Sequence, residues 1–108
     1  MKNEKYFLLL KENNLGNINI HYTLLESILI DVISQIEGVS KVYKNNIKII
    51  SNLENEKKSI DIYVDVNIEL NTNVVSVSEN IQKNIKYNIE SLTNLSVNET
   101  IITVVNIN

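Results

Sequence analysis

Three carboxylates at regular intervals are the first candidates for acid–base chemistry or metal binding. Asp61, Asp65 and Glu69 alternate with apolar residues between positions 59 and 70. In an extended strand, residues four apart are separated by about 13 Å. Asp61 and Asp65 are then too far apart to share a divalent ion or to act as an acid–base pair. The spacing favours a row of solvent-facing charges over a catalytic or metal site.

The other reactive side chains lack the partners that catalysis requires. His21 is the single histidine, and it stands beside Tyr22 and Thr23 at an expected strand-to-helix junction. A capping or surface role is favoured there over general-base catalysis, which needs a nucleophile and an orienting group nearby. Cysteine is absent, and the two glycines, Gly16 and Gly38, cannot form a nucleophile elbow or a phosphate loop. We therefore predict a non-enzyme without catalytic residues, cofactor or metal ion.

Composition also limits the class of partner. The 108 residues carry 10 basic and 13 acidic side chains, a formal net charge of −3. Affinity for nucleic acid depends on clustered Lys and Arg, so nucleic acid is not the expected partner. No run of about 18 apolar residues exists, so we expect no membrane span. The length suits one domain with its own core, and the absence of cysteine fits a reducing cytoplasm.

A strand and the helix after it organise the rest of the chain. From position 59 to 70, apolar residues occupy the even positions and mostly polar residues the odd ones, which predicts a half-buried strand. Asn73 is the expected N-cap of the following helix, with Ser76-x-x-Glu79 as a rival start. The apolar stripe of that helix comprises Val74, Val77, Ile81, Ile85, Ile89 and Leu92.

Shorter patterns predict the elements before this strand. Residues 15–20 alternate as a short strand with Ile18 and Ile20 facing inward. Thr23-x-x-Glu26 has the spacing of a capping box, so we expect a helix over residues 24–36. Gly38 then supplies a left-handed helix stop. Asn45-Asn46 separates two apolar stretches and predicts a two-residue hairpin turn.

The resulting order is strand, helix, three strands, helix and a final strand over residues 97–107, after a left-handed Asn94. This order predicts an α+β fold: a two-layer sandwich in which both helices cover one face of a mixed or antiparallel sheet (β-α-β-β-β-α-β). Residues 1–14 form a lead-in segment, and residues 15–108 form the single domain.

The last strand is apolar on both sides. Ile101, Thr103, Val105 and Ile107 point one way, and Ile102, Val104 and Asn106 point the other. With the helices on one face, we predict that Ile102 and Val104 lie on the other face beside Tyr63. An exposed apolar patch of this kind marks an interaction surface and favours self-association. The alternative is that the apolar segment over residues 6–10 covers this face, or that this segment docks on a membrane-bound partner.

Several motifs in register carry a family resemblance over residues 15–107. They are Gly16-Asn17-Ile18-Asn19-Ile20, Leu24-Leu25-Glu26-Ser27-Ile28, Ile36-Glu37-Gly38-Val39, Ile60-Asp61-Ile62-Tyr63-Val64-Asp65-Val66, Leu92-Thr93-Asn94-Leu95 and the closing residues 102–105. Together they resemble the alkaline shock protein family, also called the envelope stress response or general stress family. The chain departs from that pattern in three places: its first helix is not Ala-rich, Ile68-Glu69 replaces a Tyr-Gly pair, and Asn94 replaces a glycine. The charged tails that some members carry are missing, which puts assembly through such tails in doubt.

The resemblance implies a non-enzymatic bacterial cytoplasmic protein connected with cell-envelope stress or homeostasis. Some family members are scaffolds that self-assemble beneath the membrane through a membrane-anchored partner, which would place the protein at the membrane indirectly. Shorter members resemble accessory proteins of a fatty-acid-kinase-like enzyme of lipid metabolism. The alternative function is accordingly a small-ligand-binding regulatory or accessory domain.

Overall fold

A computed structural model describes residues 18–52 and 59–108, and this part of the chain has an α+β fold. The α+β class predicted from the sequence is confirmed. In chain order the elements are α1 (Ile18–Ser34), β1 (Val39–Val42), a 3-10 turn (Lys44–Asn46), β2 (Lys48–Asn52), β3 (Ser59–Ile68), α2 (Val74–Leu92) and β4 (Ser96–Ile107). The predicted lead-in segment, residues 1–14, lies outside the described residues.

The central strand is β3, which pairs along both of its edges. On one edge β4 runs parallel to it over the whole length, from Ser59 opposite Ser96 to Ile68 opposite Ile107. On the other edge β1 and β2 both pair antiparallel with β3, β1 at its carboxyl end and β2 at its amino end. The sheet is therefore mixed, and β3 connects its two halves.

The predicted hairpin at Asn45-Asn46 is wrong. Because β1 and β2 are both antiparallel to β3 and follow one another along the same edge, the chain keeps its direction through this segment. The 3-10 turn interrupts a single edge strand, and just before it the Tyr43 N–H donates to the Asp65 carbonyl at 3.0 Å. Asn accepts right-handed as well as left-handed backbone angles, so the dipeptide alone does not specify a reversal.

The first helix begins earlier than the sequence patterns predict. Residues 18–20 belong to α1 and not to a strand, so the predicted order of elements is wrong at its start; residues 15–17 lie outside the described part. Thr23 lies inside the helix and its carbonyl accepts a hydrogen bond from the Ser27 hydroxyl, so it does not cap the helix. An alternation of only two isoleucines is too short to distinguish a strand from a helix.

Gly38 has the left-handed conformation that the sequence predicts, with φ +98°. The helix itself ends at Ser34, and a turn in which the Val39 N–H donates to the Ile36 carbonyl leads to Gly38. The Gly38 carbonyl then accepts from the Glu69 N–H at 2.7 Å. The glycine thus joins the end of α1 to the carboxyl end of β3.

Both ends of α2 are closed by side chains. The Asn73 side chain accepts a hydrogen bond from the Ser76 N–H at 3.0 Å, which confirms Asn73 as the N-cap and rules out the later start. At the other end the Thr93 hydroxyl donates to the Ile89 carbonyl and accepts from the Leu95 N–H. Asn94 is not left-handed, contrary to prediction, because the Thr93 hydroxyl already pairs the backbone groups that such a residue would serve.

One hydrophobic core includes residues from both helices and from the even positions of β3. Each fully buried aliphatic side chain contributes about 1.5–3 kcal/mol through removal of apolar surface from water. The most deeply buried members are Leu25, Ile28, Leu29 and Ile33 of α1, Ile60, Ile62, Val64, Val66 and Ile68 of β3, and Ile81, Ile85 and Ile89 of α2.

Candidate interaction surface

The odd-numbered residues of β3 lie on the sheet face opposite this core, which we call the outer face. Asp61, Tyr63, Asp65 and Asn67 form its central row. Strand pairing places Lys48 and Ile50 beside this row on one side, and Ile101 and Thr103 beside it on the other. The outer face therefore combines acidic, basic and apolar side chains.

The carboxylates of this row accept hydrogen bonds from neighbouring amides. Asn98 Nδ2 donates to Asp61 Oδ1 at 3.0 Å, and Asn46 Nδ2 donates to Asp65 Oδ2 at 3.2 Å. The third carboxylate, Glu69, follows the end of β3 and is exposed. These contacts hold the 3-10 turn and the start of β4 against β3, which is a structural role. Within residues 18–52 and 59–108, no cluster of three or more His, Asp or Glu side chains is arranged to hold a metal ion.

An aromatic side chain closes the β1 end of the outer face. The Tyr43 hydroxyl donates to Asn67 Oδ1 at 3.1 Å, which gives the buried Asn67 side chain a partner. The Lys41 ammonium lies 4.6 Å from the centroid of the Tyr43 ring, within the range of a cation–π contact.

His21 lies in α1 and not at a strand-to-helix junction, which corrects its predicted position.

The predicted interaction residues do not share one face. Tyr63 lies on the outer face and is partly buried between Lys48 and Ile101. Ile102 and Val104 pair in register with Val64 and Val66, and they pack, partly buried, against the margin of the core. The predicted orientation of the last strand is therefore reversed as far as Val104; beyond the register shift, Asn106 pairs with Asn67 of the outer face, on the side that was predicted. Because β4 is apolar on both sides, its hydrophobic pattern cannot specify which side faces the core.

The most exposed apolar residues of the sheet are not the ones that the sequence analysis predicted as interaction residues. Ile101 is 41% exposed, Val105 50% and Ile107 46%, all on β4, and Ile50 of β2 is 39% exposed. Ile101 stands beside Tyr63, and Ile50 stands beside Asp61. The only signal in the sequence was the two-sided apolar character of β4. Of the strands that the structure describes, β4 thus exposes the most apolar residues to solvent.

The second edge of β4 faces away from β3, and α2 contacts it at Thr100. Gln82 Nε2 of α2 donates to the Thr100 carbonyl at 2.9 Å, so that carbonyl points to this edge. Between α2 and β4 lies an open groove of about 360 Å³. It is lined by Glu79, Gln82, Lys83, Lys86, Val97, Asn98 and Thr100.

Fold and surface together define a small α+β domain with an apolar strand at the margin of its sheet. Comparison with protein-family models matches residues 10–108 to the alkaline shock protein family, which is described as having a cell envelope-related function. The chain therefore belongs to that family, as the sequence motifs indicate. Searches of curated proteins and of solved structures find no match. Neither described helix is long and apolar enough to cross a membrane.

Proposed function

We propose that this protein is a non-enzymatic interaction and scaffold domain that acts in cell-envelope homeostasis by self-association and by binding a partner protein. The observation that carries this proposal is the apolar surface of β4, where Ile101, Val105 and Ile107 remain substantially exposed. Apolar surface at a sheet margin is costly in water and favours association. Family membership supplies the connection with the envelope.

The class of partner follows from the family resemblance and from charge. The protein acts in the cytoplasm, and it reaches the membrane through a membrane-anchored protein or serves an enzyme of lipid metabolism. The net charge of −3 supports a protein partner over direct attraction to the anionic lipids of the inner membrane surface.

Light scattering across a concentration series tests self-association directly. We expect the average mass to rise with concentration, and we expect Ile101→Glu to suppress that rise because it places a charge within the apolar surface. Tyr87→Glu is the matched control, since Tyr87 is exposed on α2 and does not line the groove between α2 and β4. A strictly monomeric protein, with Ile101→Glu harmless to every partner, would refute the proposal.

The groove between α2 and β4 favours a second candidate function, a small-ligand-binding accessory domain. Lys83 and Lys86 on one wall could bind an anionic group of a metabolite or lipid. A thermal-shift screen with lipids, amino acids and nucleotides separates this function from the first, because a ligand that binds only the native state raises the melting temperature. A specific ligand should lose its effect in Lys83→Ala and Lys86→Ala, while Lys48→Ala, on β2, serves as the control.

A further inference from the structure

We propose that the free edge of β4 pairs antiparallel with β4 of a second copy of this chain, with Thr103 of each copy on the two-fold axis. This inference rests on the self-association in the proposed function and specifies its surface and its register. Three features of β4 support this pairing: the direction of its backbone groups, the bounds of its available edge, and the distribution of charge along the strand.

The direction of the backbone groups follows from a single hydrogen bond. Successive residues of a strand direct their N–H and C=O groups to opposite edges. The Thr100 carbonyl points away from β3, towards Gln82, and the register with β3 is regular from Glu99 to Val104. The backbone groups of Ile102 and Val104 therefore point to the same free edge as those of Thr100. Among residues 18–52 and 59–108, no further strand pairs there.

The available part of this edge is short and sharply bounded. At one end the Thr100 carbonyl is already bonded to Gln82. At the other end the register with β3 shifts between Val104 and Asn106, which turns the Asn106 backbone groups towards β3 and leaves the Ile107 N–H outward, where it donates to Asn106 Oδ1 at 3.0 Å. Consistent with that shift, the Asn108 N–H donates to the Ile68 carbonyl at 3.0 Å. Between these two ends, Ile102 and Val104 are the residues whose outward N–H and C=O groups have no backbone partner in the described part of the chain.

The bounds at Thr100 and Asn106 leave one register in which two copies of β4 can pair. In a symmetric antiparallel pair, Ile102 exchanges hydrogen bonds with Val104 of the second copy only if Thr103 lies on the axis. Shifting the axis by one residue in either direction would pair one of them with Thr100, whose carbonyl is occupied, or with Asn106, whose backbone faces β3. The edge is therefore complementary to itself.

The side chains agree with the same register. Ile101 and Val105, both exposed, come to lie opposite each other across the axis and cover one another. Thr103 lies opposite its own copy, a favourable cross-strand pair. Glu99 is the single charged residue of β4, and it is placed opposite Ile107 and far from its symmetry mate. β4 also contains neither Pro nor Lys, the residues that commonly protect a sheet edge from pairing.

Single-cysteine crosslinking tests the register, because the natural sequence has no cysteine. Opposed residues in a non-hydrogen-bonded antiparallel pair have Cα atoms about 4.5 Å apart, a distance that a disulfide spans. The full chain carrying Thr103→Cys should form a disulfide-linked dimer under mild oxidation. Ile101→Cys is the matched control, since the two copies of position 101 would be about 13 Å apart along the strand, beyond disulfide reach.

A charge variant supplies a readout that does not depend on oxidation. Thr103→Lys places like charges opposite each other at the axis, and we expect it to weaken dimerisation at least about tenfold in sedimentation velocity. Its fold should be retained, because Thr103 is exposed and stands beside Asp65. Ser96→Lys adds the same charge to β4 outside the paired segment and should leave dimerisation unchanged.

The outcomes distinguish this inference from the proposed function. Efficient crosslinking at position 103 but not at 101, together with dissociation by Thr103→Lys, supports the edge dimer. If the natural protein self-associates while both cysteine variants fail to crosslink, or crosslink equally, the edge dimer is wrong and self-association stands. If the natural protein is monomeric at every concentration, both are overturned. Crosslinking of Thr103→Cys only to another protein would also refute the symmetric pair.

Discussion

At the scale of single residues, Gly38 is the position where backbone conformation and packing constrain the sequence together. It has φ +98°, and a Cβ atom built there would lie 2.7 Å from Val77 Cγ2 of α2. A side chain at this position would therefore strain the backbone and push against a buried residue of the second helix. Asn71, with φ 70°, has the same kind of backbone conformation but is exposed.

We expect Gly38→Ala to lower the free energy of unfolding by about 2–3 kcal/mol, as the sum of left-handed strain and overpacking against Val77. Urea titration followed by circular dichroism measures this change. Asn71→Ala is the control for strain alone and should cost about 1 kcal/mol. Equal costs for the two variants would show that the contact with Val77 contributes nothing.

At the scale of elements, α2 links the core to the margin of the sheet. Its buried stripe, which includes Ile81, Ile85 and Ile89, packs into the core, and on another side Gln82 holds the backbone of β4. The amide of Asn73 at its start and the hydroxyl of Thr93 at its end pair backbone groups that would otherwise lack partners. The helix therefore fixes the position of the strand that we propose as the interaction element.

The buried stripe of α2 yields a prediction about stability. Ile85 is fully buried, so Ile85→Ala should lower the free energy of unfolding by about 2–5 kcal/mol through lost burial and a residual cavity. Lys86→Ala, at the exposed neighbouring position, should change it by less than about 0.5 kcal/mol. Chemical denaturation of both variants provides the measurement. A cost below about 1 kcal/mol for Ile85→Ala would mean that this stripe does not face a packed core.

At the scale of the whole molecule, stability is expected to be highest at β3, which is paired on both edges and supplies five buried side chains to the core. Among the described strands, β4 is paired along one edge, so its amides should fall into two classes, those bonded to β3 and those on the other edge. The second class connects the fold to the proposed dimer, because the outward backbone groups of Ile102 and Val104 would be paired only when two copies associate.

Amide hydrogen exchange followed by NMR tests this arrangement. In dilute protein we expect slow exchange at Ile101 and Thr103, whose amides point towards β3, and fast exchange at Ile102 and Val104. Raising the concentration should slow Ile102 and Val104 selectively. Slow exchange at these two residues in a dilute monomer would show that another part of the same chain already pairs with this edge, contrary to the proposed dimer.

Local patterns in the sequence were sufficient for a large part of this fold. The alternation in β3, the stripe of α2, the cap at Asn73 and the left-handed Gly38 each depend on neighbouring residues, so each could be predicted. The family motifs are likewise present in the sequence itself. For the candidate surface, the sequence indicated β4, because this strand is apolar on both sides.

Tertiary structure decided the features that depend on distant partners. The direction of the chain through the 3-10 turn follows from the edge of β3 that β1 and β2 share. Which side of β4 faces the core follows from its parallel register with β3, so Ile102 and Val104 lie at the core margin while Ile101 is exposed. Local sequence determines the period of a strand. Its register and its facing are set by the strand beside it, which here is distant along the chain.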